Sequence, residues 1–369
     1  MSLRVRLLGT IIGAVVLFFI ISVLAARFTL QRDLTELGKS QVTNGSNAFA
    51  GYWDSHKDQI RLLIAQDAVA DALRKNLQTH NTKGLQDQLS NIARTSGLSW
   101  LTIVDAKGNV IARANGAGGG SLATNKYVAR ALTGETVSTA AILPASQLQG
   151  EGLAPQAASD IKGADGKTTA HLDAGLALVA AAPMSDPNER TIGAIYGGVL
   201  MNHFYDIVDQ SSHALGGDSA LLDGDAVVAS TIKASDGTRV VDQQISRYDS
   251  SVKGGTPYVG SDTEGGVEYM TRIDPIVNDQ NDVIGARWYG IPMSTITSIQ
   301  NHATQTLILW GILAMIIALA LAVPVVERVS RAIAARSAQV SSAAKELGVA
   351  IVGSEVAVDH VAQTKEAVE

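Results

Sequence analysis

Apolar positions fall in two unbroken blocks and, between them, in short alternating runs. The blocks are Leu7–Ala26 and Leu307–Val326, and neither contains a charged residue. A helix of about 20 apolar residues spans a hydrocarbon core of about 30 Å, so both blocks predict membrane helices. Some 280 residues of mixed character, 27–306, lie between them. The first part of that stretch carries helical spacing: Leu30, Leu34 and Leu37, then Ile60, Ile64, Leu73 and Leu77, with no proline over 28–95. The pattern predicts a long helix leaving the membrane at Phe28, breaking or bending near Gly51 or beyond, and continuing to about Asn76. Asn81–Gly84 then reads as a turn and Leu85–Thr95 as a further helix.

Beyond residue 96 the period changes to that of strands, and it repeats. Ala182-Pro183-Met184 is followed by Ile192-Gly193-Ala194-Ile195-Tyr196-Gly197. Asp274-Pro275-Ile276 is followed, at the same proline-to-glycine separation, by Ile284-Gly285-Ala286-Arg287-Trp288-Tyr289-Gly290. Polar turn residues separate the halves of each copy, so each reads as a hairpin. A second pair lies upstream: the run from Leu101 through Asp105 and Asn109 to Arg113 matches the run from Ala220 through Asp223 and Asp225 to Ser230. Each copy therefore runs hairpin, irregular segment, hairpin, which predicts two modules of one fold.

Charge sets the orientation. Arg4 and Arg6 precede the first block, and Arg328, Arg331 and Arg336 follow the second. Positive flanks mark the cytoplasmic side, placing both termini inside and residues 27–306 outside. Arg27 and Arg32 run against this, partly offset by Asp33 and Glu36. Leu7–Ala26 is longer than the core of a cleaved signal peptide and continues into a helical pattern, which favours an anchor. With no cysteine, the outer part depends on buried cores rather than disulfides. A net charge of −6 argues against a nucleic-acid partner. The division that follows is a cytoplasmic N-terminus (1–6), a first span (7–26), stalk and helices (27–95), a membrane-distal module (96–210), a membrane-proximal module (211–300), a second span (307–326) and a cytoplasmic tail (327–369).

This order of elements resembles the tandem (double) Cache sensor domains of bacterial chemotaxis receptors and other transmembrane sensors. The likeness covers about residues 28–298 and rests on VDAKGNVIARA (104–114), YVARALTGE (127–135), PMSDPNERTIGAIYGGVL (183–200), PYVG (257–260) and YMTRIDPIVNDQNDVIGARWYGIP (269–292). The resemblance implies an α+β fold with two PAS-like antiparallel-sheet modules, a small-molecule ligand in the membrane-distal one, and a homodimer. It also implies ligand contacts. Arg113 takes the place of an arginine that carboxylate-binding relatives set against an anion, although Ala114-Asn115-Gly116 replaces the usual context. A guanidinium fork suits a carboxylate because two parallel hydrogen bonds fix distance and orientation. Tyr127 and Arg130, three apart on the short covering helix, and Trp100 and Tyr196 on the strands complete the candidates. For each the alternative is structural: an ion pair for the arginines, core packing for the aromatics.

Several tempting motifs fail on inspection. GAGGGS (116–121) lacks the Lys-Ser/Thr ending of a phosphate loop and reads as a flexible connection; no cofactor is expected. His171 and Asp173 have no third ligand type nearby, and Asp223-Gly224-Asp225 is a tight turn rather than a calcium loop. The polar stretch Ser146–Asp173 reads as a mobile insertion. No spacing suggests a catalytic triad, so the chain reads as a non-catalytic sensor. Past Pro324, residues Val340, Ala344, Leu347, Ile351, Ser354, Val358, Val361, Lys365 and Val368 form a soft coiled-coil seam, suited to a dimer and to a cytoplasmic signalling partner. The region around His360 lacks the context of a kinase histidine box, so either the chain is a truncated receptor or a bound partner supplies its output. The rival readings are an accessory membrane protein whose outer part binds another protein, and the sensor half of a truncated sensor kinase.

Overall fold

The computed structural model describes residues 3–366 except 117, 164 and 246. The chain divides into one unit over Leu34–Ser298 and a second formed by the outer parts of the two terminal helices. Helix α1 (Leu3–Ala68) runs through Gly51 without a break, and the expected break comes beyond it, at Val69 and Ala70. The reason is packing: Val42, Phe49, Trp53, Ile60 and Ile64 carry one buried stripe across Gly51, and tertiary burial outweighs the modest helix cost of one glycine. Helix α2 (Asp71–Gln78) buries Leu73 and Leu77. Helix α3 (Thr82–Ser96) begins within the expected turn: the Asn81 side chain accepts the Gly84 N–H at 3.1 Å and so caps the helix.

The chain then builds β1 (Trp100–Asp105), β2 (Val110–Arg113), α4 (Lys126–Leu132), β3 (Val137–Leu143), α5 (Ala145–Gly150), α6 (Ala154–Ala157), β4 (Ser159–Lys162), β5 (Thr168–Leu172), β6 (Gly175–Ser185) and β7 (Thr191–Leu200). A second series follows: α7 (Asp206–Leu215), β8 (Asp218–Asp223), β9 (Ala226–Ser230), α8 (Ser250–Lys253), β10 (Tyr258–Glu264), β11 (Val267–Val277), β12 (Val283–Pro292) and α9 (Met293–Glu366).

The first sheet has the order β2-β1-β7-β6-β3, and the second, read from its matching edge, β9-β8-β12-β11-β10. Every pairing is antiparallel, and the equivalent hairpins hold equivalent places in the two sheets. The hairpin repeat legible in the sequence is thus a repeat of topology. Each sheet packs its own core around an aromatic pair. Trp100 and Tyr196 lie 5.7 Å apart in the first, and Tyr269 and Trp288 meet edge to face at 5.1 Å in the second. Trp100 is registered opposite Gly198, where any side chain would collide with the indole and the Leu178 carbonyl.

The stretch read as a mobile insertion is instead built structure. Leu148, Ala157 and Ile161 are buried anchors within it, and β4 pairs with β5 as a separate ribbon. Three small apolar contacts suffice because the backbone is hydrogen-bonded locally through α5, α6 and the ribbon.

In the terminal unit, α9 contains an apolar segment, from Ile308 onward, long and apolar enough to cross a membrane by length and composition. The apolar run in α1 found on the same basis, Ile12–Ala26, is shorter. Pro324 lies inside α9 without ending it. Val340 and Leu347 of the expected seam are exposed, while the seam side chains from Ile351 onward, and His360, lie outside the described residues.

Candidate functional site

The first sheet carries a cleft of about 670 Å³ at its β2 edge. Three segments wall it: the glycine-rich strip Gly118–Ser121 after β2, the N-terminus of α4 at Asn125, and the start of the insert from Pro144 to Glu151. Asn125 faces it because its side chain caps α4, accepting the N–H groups of Tyr127 and Val128 at 3.0 and 3.1 Å. Gln147 on α5 accepts from Asn125 at 3.2 Å and donates to the Tyr196 hydroxyl at 2.5 Å. The remaining polar lining is Ser121, Thr124, Ser146 and Gln149.

Arg113 and Glu151 close the cleft's inner wall. Arg113 Nε donates to Glu151 Oε1 at 3.2 Å and Nη1 to the Gly119 carbonyl at 2.8 Å. Thr102 Oγ1 donates to the other Glu151 oxygen at 2.8 Å. Burial pushes the Glu151 carboxyl up, against the Thr102 and Arg113 contacts that pull it down. Arg113 is therefore not an open anion clamp: its guanidinium is already committed to an internal carboxylate and to a carbonyl of the glycine strip. That strip, expected as a flexible connection, forms part of the wall.

The other sequence candidates lie elsewhere. Tyr196 is fully buried one layer behind Gln147, and burial pushes its hydroxyl up. Trp100 belongs to the core beneath, its Nε1 without a hydrogen-bond acceptor among the described residues. Tyr127 packs into the same core, with Lys126 Nζ 5.0 Å from its ring centre. Arg130 points away from the cleft set: it binds Glu135, and its Nη1 reaches Asp279 Oδ2 at 2.8 Å in the β11–β12 turn. Lys126 reaches the same aspartate at 2.9 Å. Of five candidates, then, the cleft wall includes Arg113 alone, with Tyr196 behind it. Glu151 and Gln147 were hidden in a polar run with no periodicity, whereas Asn125, standing just before an apolar helical pattern, was recognisable as a cap.

A second cleft of about 690 Å³ lies on the other sheet, between α7, β8 and the loop after β9. Two of its acidic residues have partners within the wall. Arg239 forks onto Asp209 at 2.7 and 3.0 Å, and Tyr269 donates to Asp218 at 2.9 Å. Burial, reinforced by Asp218, pushes the Tyr269 hydroxyl up. His171, a tempting metal ligand, faces Asp160 across the β4–β5 ribbon at 2.8 Å.

Residues 199–303 match the family model described as single Cache domain 3. A comparison with curated proteins found no match. Among solved structures, the chain is similar to the periplasmic domain of Vibrio cholerae LuxQ, at 11% identity and TM-score 0.44, over 68% of this chain and 99% of that one. It is similar also to the sensory domain of the Campylobacter jejuni chemoreceptor Tlp3, at 10% identity and TM-score 0.42, over 73% and 98%. A third is the ligand-binding domain of the Pseudomonas fluorescens chemoreceptor CtaA in complex with L-isoleucine, at 15% identity and TM-score 0.36, over 74% and 97%. The Cache resemblance read from the hairpins is thus matched by sequence over the second sheet, residues 199–303.

Proposed function

We propose that the chain is a two-pass, non-catalytic transmembrane sensor of chemoreceptor type, a tandem Cache protein acting as a homodimer. A small ligand binds in the cleft of the first sheet and biases the dimer between two arrangements. Ligand binding shifts such an equilibrium only through its different affinity for the two states. The bias passes through β12 into α9 and on to a cytoplasmic partner that reads the helix beyond residue 327. The observation that carries the ligand reading is the cleft itself, walled by amide and hydroxyl side chains over a satisfied ion pair.

That lining favours a hydrogen-bonding ligand without net negative charge. A carboxylate at Arg113 would have to compete with Glu151, a buried acid that the guanidinium already neutralises. The test is a thermal-shift screen of the full chain in detergent micelles against polyols, amides, zwitterionic amino acids, amines and organic acids. A ligand that binds only the folded state raises the melting temperature by mass action. A shift from one of the first four classes is the expected result. A shift from organic acids alone would restore the anion-clamp reading, and no shift from any class would point to a protein ligand.

A further inference from the structure

His203 sits where the two sheets join, in the link between β7 and α7, at a left-handed φ of 57°. Its backbone N–H donates to the Val228 carbonyl of β9 at 2.8 Å. Both ring nitrogens face acceptors: Nδ1 is 3.0 Å from the Gln156 carbonyl on α6, and Nε2 is 3.1 Å from Asp242 Oδ2 in the loop after β9. A carbonyl and an ionised carboxylate can only accept, and a neutral imidazole has one N–H to give. Only the imidazolium satisfies both contacts. Asp242 Oδ1 is buried without a donor among the described residues, so the contact from His203 to Oδ2 is the one this carboxylate is shown to receive. A partly buried carboxylate in that position depends on the cation beside it.

We propose that protonated His203 is a pH-sensitive latch that pins the cleft-forming insert, Pro144–Leu172, to the second sheet. The backbone around it supports the assignment. Asp242, itself at a left-handed φ of 56°, accepts the Lys162 N–H of β4 at 2.9 Å, and the Gln244 N–H donates back to the Lys162 carbonyl at 2.9 Å. Gln156 Nε2 donates to the Asn202 carbonyl at 2.7 Å, so α6 is tied to the link on both sides of the ring. Two non-glycine residues in the left-handed region, bonded to each other at one junction, are the kind of strained geometry that surrounding structure must enforce.

The charged surroundings leave Asp242 as the partner that matters. Helix α6 and strand β9 carry no titratable residue, and β4 ends in the exposed Lys162. Helix α7 begins with Asp206 and Asp209, and Asp209 holds Arg239, whose guanidinium also stacks 4.5 Å from the Tyr205 ring centre. Burial of the imidazole opposes its charge, but the Gln156 carbonyl and Asp242 outweigh it and hold the group above its ordinary value. A raised histidine stabilises the latched form fully below about pH 6.5, and that contribution is lost as pH rises through the raised value.

As regulation of the cleft, the latch rests on the ligand-site reading; as a junction it does not, and the test needs no ligand. Hydrogen–deuterium exchange of the full chain in micelles, corrected for intrinsic rates, would follow the peptides containing Lys162 and Gln244 from pH 6.5 to 8.5. Their protection should fall by up to about tenfold for each unit by which the latched imidazole exceeds 6.5. His203→Asn, which tolerates the left-handed backbone, should abolish the fall, and Asp242→Asn should move it to lower pH. A wild-type chain without the fall, or a His203→Asn chain that keeps it, would overturn the latch. Were His203→Asn not to fold, an unmoved fall in Asp242→Asn would overturn it equally. Failure here leaves the thermal-shift result untouched, so the two readings are separable.

Discussion

Arg113 and Glu151, 38 residues apart, form a buried ion pair that joins the last residue of β2 to the insert after α5. Their side chains are 8% and 1% exposed, and Thr102 and Gly119 add hydrogen bonds to the pair. Removing one partner of such a pair leaves the other charge buried and uncompensated, at a cost of about 3–5 kcal/mol. Glu151→Ala should therefore lower stability by about that much, whereas Glu151→Gln, which keeps acceptors for Arg113, should cost about 1–2 kcal/mol. Thermal unfolding of the two variants checks the order; equal small losses would show that the pair is not closed in solution.

Asp223 supplies a pH dependence of definite sign. Burial first, then the neighbouring Asp225, pushes its carboxyl up to about 6. A carboxyl raised in the folded state favours folding fully below its unfolded value near 4, and the contribution is lost as pH rises through about 6. Above that, an ionised Asp223, whose buried Oδ2 has no donor among the described residues, weakens the β8–β9 hairpin. Asp223→Asn should stabilise the chain by about 1–3 kcal/mol at pH 8 and by little at pH 4. Denaturation curves at the two pH values would reveal it.

Asp279 receives both Lys126 and Arg130 from α4, the helix whose cap faces the cleft. Strand β12 runs from the turn containing Asp279 directly into α9. The contact therefore ties the cleft side of the first sheet to the strand that runs into α9. These are partly exposed ion pairs, so a double-mutant cycle of Arg130→Ala and Asp279→Ala should return a coupling of about 0.5–1 kcal/mol. Additive effects would show that this contact does not couple α4 to the β11–β12 turn.

Gly45 of α1 lies against the Tyr289 ring of β12, where any Cβ would collide with the aromatic carbons. Ser46 beside it donates to Asp274, which also holds Arg272. Gly45→Val should force the helix from the second sheet and cost about 1–3 kcal/mol, against which an exposed control such as Gly51→Ala should be neutral or mildly stabilising. Unfolding midpoints of the two variants give the comparison.

The sheets were legible because their signals are local and doubled. Pro183 with Gly193 and Pro275 with Gly285 mark the same hairpin twice, and β6–β7 and β11–β12 stand where those residues placed them. The insert was not legible. Leu148, Ala157 and Ile161 are its anchors, spaced without period among glycine, alanine, serine and aspartate, so composition masked them. Glu151 escaped for the same reason: a polar residue between two glycines joins the cleft wall only when β1 and β2 bring Thr102 and Arg113 to it. Of the break expected near Gly51 or beyond, the later position holds: Phe49 and Trp53 keep the helix packed across the glycine, and the turn comes at Val69 and Ala70.

The proposed function stands or falls on a small ligand occupying the first-sheet cleft. Ser146 is exposed at the cleft's rim, so Ser146→Trp should fill the space with little cost to the fold. Calorimetric titration of the hit from the thermal-shift screen into this full-length variant is the direct measurement. The expected result is loss of binding, by tenfold or more (about 1.4 kcal/mol), while Lys233→Ala in the second cleft binds as the unaltered chain does. Unchanged affinity in a folded Ser146→Trp chain, or loss only in Lys233→Ala, would contradict it.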